Sequence, residues 1–350
     1  MSQAIENVVT EQMQLRASLI ERIGGLMTAH AIGVVAELGI ADLMGDQICS
    51  SGDLAERSGT DAQALRRLLR LLASAGVTTE PQPDRFALTP IGDQLRSDST
   101  DSLRAFARMF CHPILFQAWK GLEHSVRTGE PAFDHIYGTD FYGHIAGQEG
   151  VSALFNEAMS EESRIAAAQL AAGYDFSTAR KVVDLGGGDG TLLAAILGRH
   201  SGLQGIVFDS PSGVAEAPAT LEKTGLSDRC EARAGDFFQD IPADGDLYII
   251  KSVFQDWSDE DSVALLRSCH AQMPSSATLL IIGTVLPETA TPDQTVPFFT
   301  DLNMMVLAGG RERTEREFRS MLTSTGFTVD SVLINAAGPL SIIQASPAAA

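Results

Sequence analysis

Apolar positions recur at helical spacing along residues 13–45, a segment ending Glu37-Leu38-Gly39-Ile40-Ala41-Asp42-Leu43-Met44. After Ser51-Gly52-Asp53-Leu54-Ala55, the pair Thr60-Asp61 offers an N-cap for a further helix. Leu65, Leu68, Leu69 and Leu72 then fall at i, i+3, i+4 and i+7, one apolar face, and Gly76 is placed to stop the run. Val77-Thr78-Thr79-Glu80 and Phe86-Ala87-Leu88-Thr89, parted by Pro81 and Pro83, predict two short strands in a hairpin. Helices followed by a hairpin make a winged-helix pattern. Residues 101–175 predict mostly helix, through 106–126 and 151–172. From Lys181 the rhythm changes to β-rich runs at 182–185, 205–209, 247–250 and 279–282, separated by helical stretches. That alternation predicts a parallel α/β sheet with ligands at the strands' carboxyl ends. The chain thus divides at 1–100, 101–175 and 176–350.

Composition narrows the possibilities. Apolar residues make up 44 % and charged ones 20 %, enough to bury a large core, which excludes disorder as the main state. Lys and Arg number 25 against 45 Asp and Glu, a net charge of −20 that repels phosphate backbones and anionic membranes. Arg66, Arg67 and Arg70 on the predicted helix raise a DNA-binding regulator. On so acidic a chain they are expected to be a solvated face, and the winged part a dimerisation module. The four cysteines are widely spaced and none forms a C-x-x-C, which predicts a reducing, cytoplasmic setting. Residues 1–6 carry no basic leader, and the longest apolar window, 29–44, is broken by Glu37 and Asp42. A soluble protein is expected. No His, Cys or carboxylate set has metal-ligand spacing.

The chemistry concentrates at Val183-Asp184-Leu185-Gly186-Gly187-Gly188-Asp189-Gly190-Thr191, where a strand runs through glycines into a helix. Glycines let backbone N–H groups approach a ligand, and the helix N-terminus adds partial positive charge. The dinucleotide form Gly-x-Gly-x-x-Gly fails, because counting from Gly186 its last place is Thr191. What stands is Asp-x-Gly-x-Gly-x-Gly. Asp209 ends the next strand, where a carboxylate can accept both hydroxyls of a ribose. In Gly235-Asp236-Phe237-Phe238 a carboxylate could accept from an adenine amino group and an aromatic cover its ring.

These blocks resemble the S-adenosylmethionine-dependent small-molecule O-methyltransferases of the caffeic-acid, hydroxyindole and bacterial polyketide type. The resemblance spans nearly the whole chain and includes residues 155–159, Asp256-Trp257-Ser258-Asp259-Glu260-Asp261 and Gly309-Gly310-Arg311-Glu312-Arg313-Thr314. It implies a Rossmann-like methyltransferase sheet behind a helical winged-helix dimerisation domain, and a homodimer. It implies S-adenosylmethionine held by Asp184, Gly186 and Gly188, with Asp209 on ribose, Asp236 and Phe237 on adenine, and Lys251 beside the cofactor. It further implies an acceptor pocket lined by Met109, Phe110, Phe155, Met159, Phe298, Asn303 and Met304.

The departures are as informative. The family's catalytic histidine stands immediately before the Asp-Trp pair, and here that place is Gln255. An amide orients a substrate but is no general base at neutral pH. Of the family's two carboxylates flanking that histidine, one matches Glu312, and the other falls where this chain has Gly283. A phenol of pKa ~10 is only about one part in a thousand ionised at pH 7, roughly 4 kcal/mol short of the phenolate. Three readings follow. The acceptor is acidic enough to react ionised, with alignment supplying the catalysis. Alternatively His112 or His144 stands in as base. Or the cofactor is retained for a reaction other than methyl transfer, of hydroxylase or pericyclase type. His200 and His270 are expected at the surface.

Overall fold

The computed structural model describes residues 2–337 and 340–348, with side chains for 12–336 and 340–348. The leader reading of residues 1–6 thus lies outside the described side chains. The chain forms two compact units, residues 1–116 with 153–161 and residues 117–152 with 162–350.

In the first unit, helix Ser2–Glu37 ends before Gly39, whose φ of 63° suits glycine and turns the chain into helix Ile40–Met44. Residues 12–37 of that helix are long and apolar enough to cross a membrane by length and composition. The apolar window is therefore longer than 29–44, because the isolated charges Arg16, Glu21 and Arg22 interrupt the sequence but not the helix. Ser50 and Asp61 cap helices Ser51–Ser58 and Ala62–Ser74 by accepting the N–H groups of Asp53 and Ala64. Of the predicted face, Leu65, Leu69 and Leu72 are buried and Leu68 is half-buried. The wing comprises β1 (Cys49–Ser50), β2 (Thr78–Gln82) and β3 (Arg85–Leu88) in the order β1-β3-β2, all antiparallel. Two-residue β1 carries too little pattern to be read from sequence. Arg66 and Arg70 pair with Asp84 and Glu80 of the wing, so their charge is answered within the unit.

The stretch 106–126 is not one helix but parts of three, Arg104–Phe110, Pro113–Lys120 and Leu122–Thr128. Pro113 lacks a donor to continue the first, and Gly121 interrupts the second.

The second unit is built on β4 (Lys181–Leu185), β5 (Gln204–Asp209), β6 (Cys230–Ala234), β7 (Leu247–Lys251) and β8 (Thr278–Gly283). Short β9 (Val285–Leu286) and β10 (Arg313–Thr314) pair separately, and β11 (Phe327–Ala337) and β12 (Leu340–Pro347) close the large sheet. Its order is β11-β12-β8-β7-β4-β5-β6. Five strands are parallel, but β12 runs antiparallel to β8 and β11 antiparallel to β12, so the sheet is mixed where the alternation predicts a parallel one. A terminal hairpin needs no crossover helix, which is why the strand–helix rhythm does not announce it. Alternate strand residues face opposite sides. Val182, Ile249, Leu280 and Ile282 join one core, and Val183, Leu185, Ile250, Leu279 and Ile281 the other.

Candidate active site

Four neighbouring strands, β7-β4-β5-β6, end side by side, and each carries one of the expected cofactor groups at or just beyond its carboxyl end. After β4 the chain turns through Gly186 (φ 77°) and Gly188 (φ 55°) into helix Thr191–Arg199. A side chain at Gly186 would drive into Val253, 2.6 Å from its Cγ2. At Gly188 a Cβ would meet nothing within 4 Å, so the loop presents bare backbone to open space. Asp209 steadies that loop, since Oδ2 accepts the Gly188 N–H at 2.9 Å and Oδ1 the Ser210 N–H at 2.7 Å. Gly213 lies so close that a Cβ there would stand 2.2 Å from Oδ1.

Asp184 is 1 % exposed, and neither carboxylate oxygen has a hydrogen-bond partner. Burial pushes its carboxyl up to about 7, Lys251 opposing the rise and Asp209 and Asp189 adding to it. Buried polar groups are nearly always satisfied, so an orphaned carboxylate beside a glycine cradle fits a ligand bearing a cationic amine. S-adenosylmethionine bears one. Lys251, ending β7, faces Glu162 at 3.8 Å. The Asp236 carboxylate closes its own turn, accepting from Phe238 N–H at 2.9 Å and Gln239 Nε2 at 2.7 Å. Phe237 meets Trp257 edge-on at 6.1 Å.

Beyond β7 a single 3-10 turn, Phe254–Asp256, carries Gln255. The fully buried Arg313 clamps this turn. Its Nη1 donates to the Phe254 carbonyl at 2.6 Å, its Nη2 to the Trp257 carbonyl at 2.9 Å, and both Nε and Nη2 reach Asp259. Gly310 fits against the Gln255 carbonyl so closely that a Cβ would stand 1.9 Å from it. Gln255, Gly283, Thr284 and Glu312 line one small cavity. Gln255 Oε1 is 4.0 Å from where a Cβ at Gly283 would stand, so these two positions do face each other. Glu312 is 3 % exposed, its N–H bound to Asp301 and its Oε1 without a partner. Burial pushes its carboxyl up to about 8; a hydrogen bond from Thr284 opposes the rise, and Asp301 and Asp256 reinforce it. Asp256 is likewise raised by burial, to about 7, against a hydrogen bond from Tyr142 and the charge of Lys251. Tyr142, Asp256, Thr284 and Arg313 are therefore part of this centre. The sequence reading assigned none of them a role, since only tertiary contact reveals it.

The other expected residues divide between the units. Phe298 and Met304 are half-buried on helix Thr295–Leu307, and Asn303 accepts the Trp119 Nε1–H at 3.0 Å. In the first unit Met109 is fully buried, Phe110 stacks on Phe106 at 4.1 Å, and Phe155 and Met159 are half-buried. His112 accepts the Ile114 N–H at 3.3 Å, and burial lowers its pKa. His144 packs among Phe133 and Tyr137. His200 and His270 are half-buried rather than surface residues; His200 bonds the Ala171 carbonyl at 3.0 Å and His270 packs on Phe327.

The glycine loop, the strand-end carboxylates and the clamped 3-10 turn lie together at the carboxyl ends of β4, β5, β6 and β7, and comparison with known proteins defines the class. Residues 119–328 match the O-methyltransferase domain and residues 20–98 the O-methyltransferase dimerisation domain. The chain belongs to the S-adenosylmethionine-dependent O-methyltransferase family. It is 41 % identical over 340 residues to an O-demethylpuromycin-O-methyltransferase of Streptomyces alboniger, covering 96 % of this chain and 90 % of that one. Mitomycin 7-O-methyltransferase MmcR matches at a TM-score of 0.87 and 38 % identity, over 97 % of this chain and 100 % of that one. The O-methyltransferase NcsB1 of neocarzinostatin biosynthesis, solved with S-adenosylmethionine and 2-hydroxy-5-methyl naphthoic acid, matches at 0.75 and 31 % identity, over 91 % and 96 %. Aclacinomycin 10-hydroxylase RdmB of Streptomyces purpurascens is 32 % identical over 318 residues, 89 % of this chain and 84 % of that one. The cofactor is S-adenosylmethionine.

Proposed function

We propose that this enzyme methylates a hydroxyl of an aromatic or polyketide-like secondary metabolite, working as a homodimer. The observation that carries the reading is the set of cofactor groups at four adjacent strand ends, opening beside the turn that bears Gln255. Asp184 and the glycine loop would hold the amino-acid end of S-adenosylmethionine, Asp209 its ribose, and Asp236 and Phe237 its adenine. When bound, that cofactor supplies an electrophilic methyl on a sulfonium. The chain's own contribution is to align the acceptor oxygen with it, and proximity and orientation account for much of the acceleration. Gln255 orients the acceptor through its amide and removes no proton. The aromatic acceptor class draws support from the relatives, two named for puromycin and mitomycin chemistry and one solved with a hydroxynaphthoic acid.

Dimerisation draws support from the first helix, where Met13, Leu15, Leu19, Ile20, Ile23, Leu26 and Met27 are all exposed. We place the enzyme in a reducing cytoplasm, a setting that the wide spacing of Cys49, Cys111, Cys230 and Cys269 supports.

Gln255 also favours a second reading, in which the cofactor is kept and the methyl is not transferred; the hydroxylase relative lends it weight. The two part in one experiment. With methyl-labelled S-adenosylmethionine and a panel of acidic and ordinary phenols, stoichiometric label in the product and release of S-adenosylhomocysteine are expected. Product that requires the cofactor yet carries no label establishes the second reading instead.

A further inference from the structure

We propose that the cavity between Gln255, Gly283 and Glu312 holds one water molecule, which relays the acceptor's proton to Glu312. The inference rests on the methyl-transfer reading and adds to it a proton acceptor. The cavity has room for about one water. Glu312 is buried, and its Oε1 has no hydrogen-bond partner. Gly283 contributes no side chain to the space in front of Gln255 Oε1. A water there donates one hydrogen to Glu312 Oε1 and one to Gln255 Oε1, and its lone pair accepts from the acceptor hydroxyl. That arrangement satisfies an otherwise costly buried oxygen and gives the water three partners, the usual number.

In the step itself, the acceptor hydroxyl gives its proton to the water, and the water gives one of its own to Glu312 Oε1. The carboxylate becomes a carboxylic acid and the water is unchanged. The acceptor oxygen's electron pair forms the O–C bond as the methyl's C–S bond breaks, with that bond's pair remaining on sulfur. Glu312 later returns its proton to solvent. The surroundings make this carboxylate unusually basic. Burial raises it, the Thr284 hydroxyl opposes, Asp301 on helix Thr295–Leu307 and Asp256 on the 3-10 turn add to the rise, Arg313 on β10 lowers it, and together they leave it at about 8. A base of that strength exceeds free imidazole, at about 6.5.

The test uses the full-length enzyme with Glu312→Gln and Gly283→Ala. An alanine meets nothing closer than Gln255 Oε1 at 4.0 Å, so it fits the fold while taking room on the side of the cavity that Gly283 lines. Carbon-13 NMR of carboxyl-labelled glutamates should show one resonance titrating near 8, missing in Glu312→Gln. With an ordinary phenol, kcat/KM of the wild type should rise through an inflection near 8. Both variants should lose that inflection and fall by about 10²-fold, with a smaller loss on an acidic phenol, while calorimetric affinity for S-adenosylmethionine holds. A Gly283→Ala profile that matches the wild type overturns the relay, as does a Glu312 carboxyl that titrates in the ordinary range. If the wild type passes label to product under either of those outcomes, methyl transfer stands and the relay alone falls. Failure of the wild type to label any acceptor overturns both.

Discussion

Asp209 holds two backbone N–H groups and still has lone pairs for the ribose hydroxyls assigned to it. Asp209→Ala should therefore weaken S-adenosylmethionine binding by roughly 1.5–3 kcal/mol, the scale of charge-assisted hydrogen bonds. Asp209→Asn keeps one acceptor and should cost less. Calorimetric titration checks both, and an unchanged affinity would remove Asp209 from the site. At Gln255 the expectation is a small effect. If the amide only positions the acceptor, Gln255→Ala should lower kcat/KM about 10-fold, roughly 1.4 kcal/mol, well short of a lost general base. Gln255→His should extend the range toward less acidic phenols only in part, because Gly283 leaves the new ring without one orienting carboxylate. Steady-state rates across a phenol series read both outcomes.

The 3-10 turn Phe254–Asp256 is short and makes little structure of its own. Arg313 supplies it, with two backbone carbonyls bound across 59 and 56 positions of sequence. Arg313→Met should leave those carbonyls unsatisfied and destabilise the fold by about 1–3 kcal/mol, read as a lower midpoint in thermal unfolding. Activity should fall further than stability, because Gln255 rides on the same turn. A variant with wild-type midpoint and rate would show that the clamp is idle. Contacts of this kind explain what the sequence leaves hidden. The glycine loop and Asp184 are legible because strand, carboxylate and turn follow one another within a few residues, and Asp209 because it ends the next strand. Asp61 is legible as a cap for the same reason. Arg313 against Phe254, or Tyr142 against Asp256, carries no local signal, since each pair meets only once the sheet has formed. The terminal strands β11 and β12 escape the strand–helix rhythm because they pair as a hairpin.

Across the whole molecule, two features should govern its behaviour in solution. The exposed apolar face of the first helix predicts that deleting residues 1–25 yields monomers or aggregates with lost activity, which light scattering would detect. A well-behaved, fully active monomer of the shortened chain would contradict the dimer. The second feature is the set of raised carboxyls, Asp184 and Asp256 at about 7 and Glu312 at about 8. Each keeps its proton in the folded state at pH values where the unfolded chain, with pKa values near 4, has already lost it. Unfolding therefore releases protons from these three groups between about pH 4 and 8, and the stability they contribute is lost as pH rises through that window. The net charge of −20 acts in the same direction through self-repulsion. The unliganded enzyme should accordingly melt higher at pH 5.5 than at pH 8. S-adenosylmethionine, which brings a sulfonium and an ammonium to a buried carboxylate, should pull Asp184 down and expel part of a proton near pH 7. Binding should tighten from pH 6 to 8, and the calorimetric binding enthalpy should vary with the buffer's own heat of ionisation. Asp184→Asn should abolish most of that variation, which separates this carboxyl from the general charge of the protein. A binding enthalpy independent of buffer in the wild type would mean that Asp184 does not meet the cofactor's positive charge.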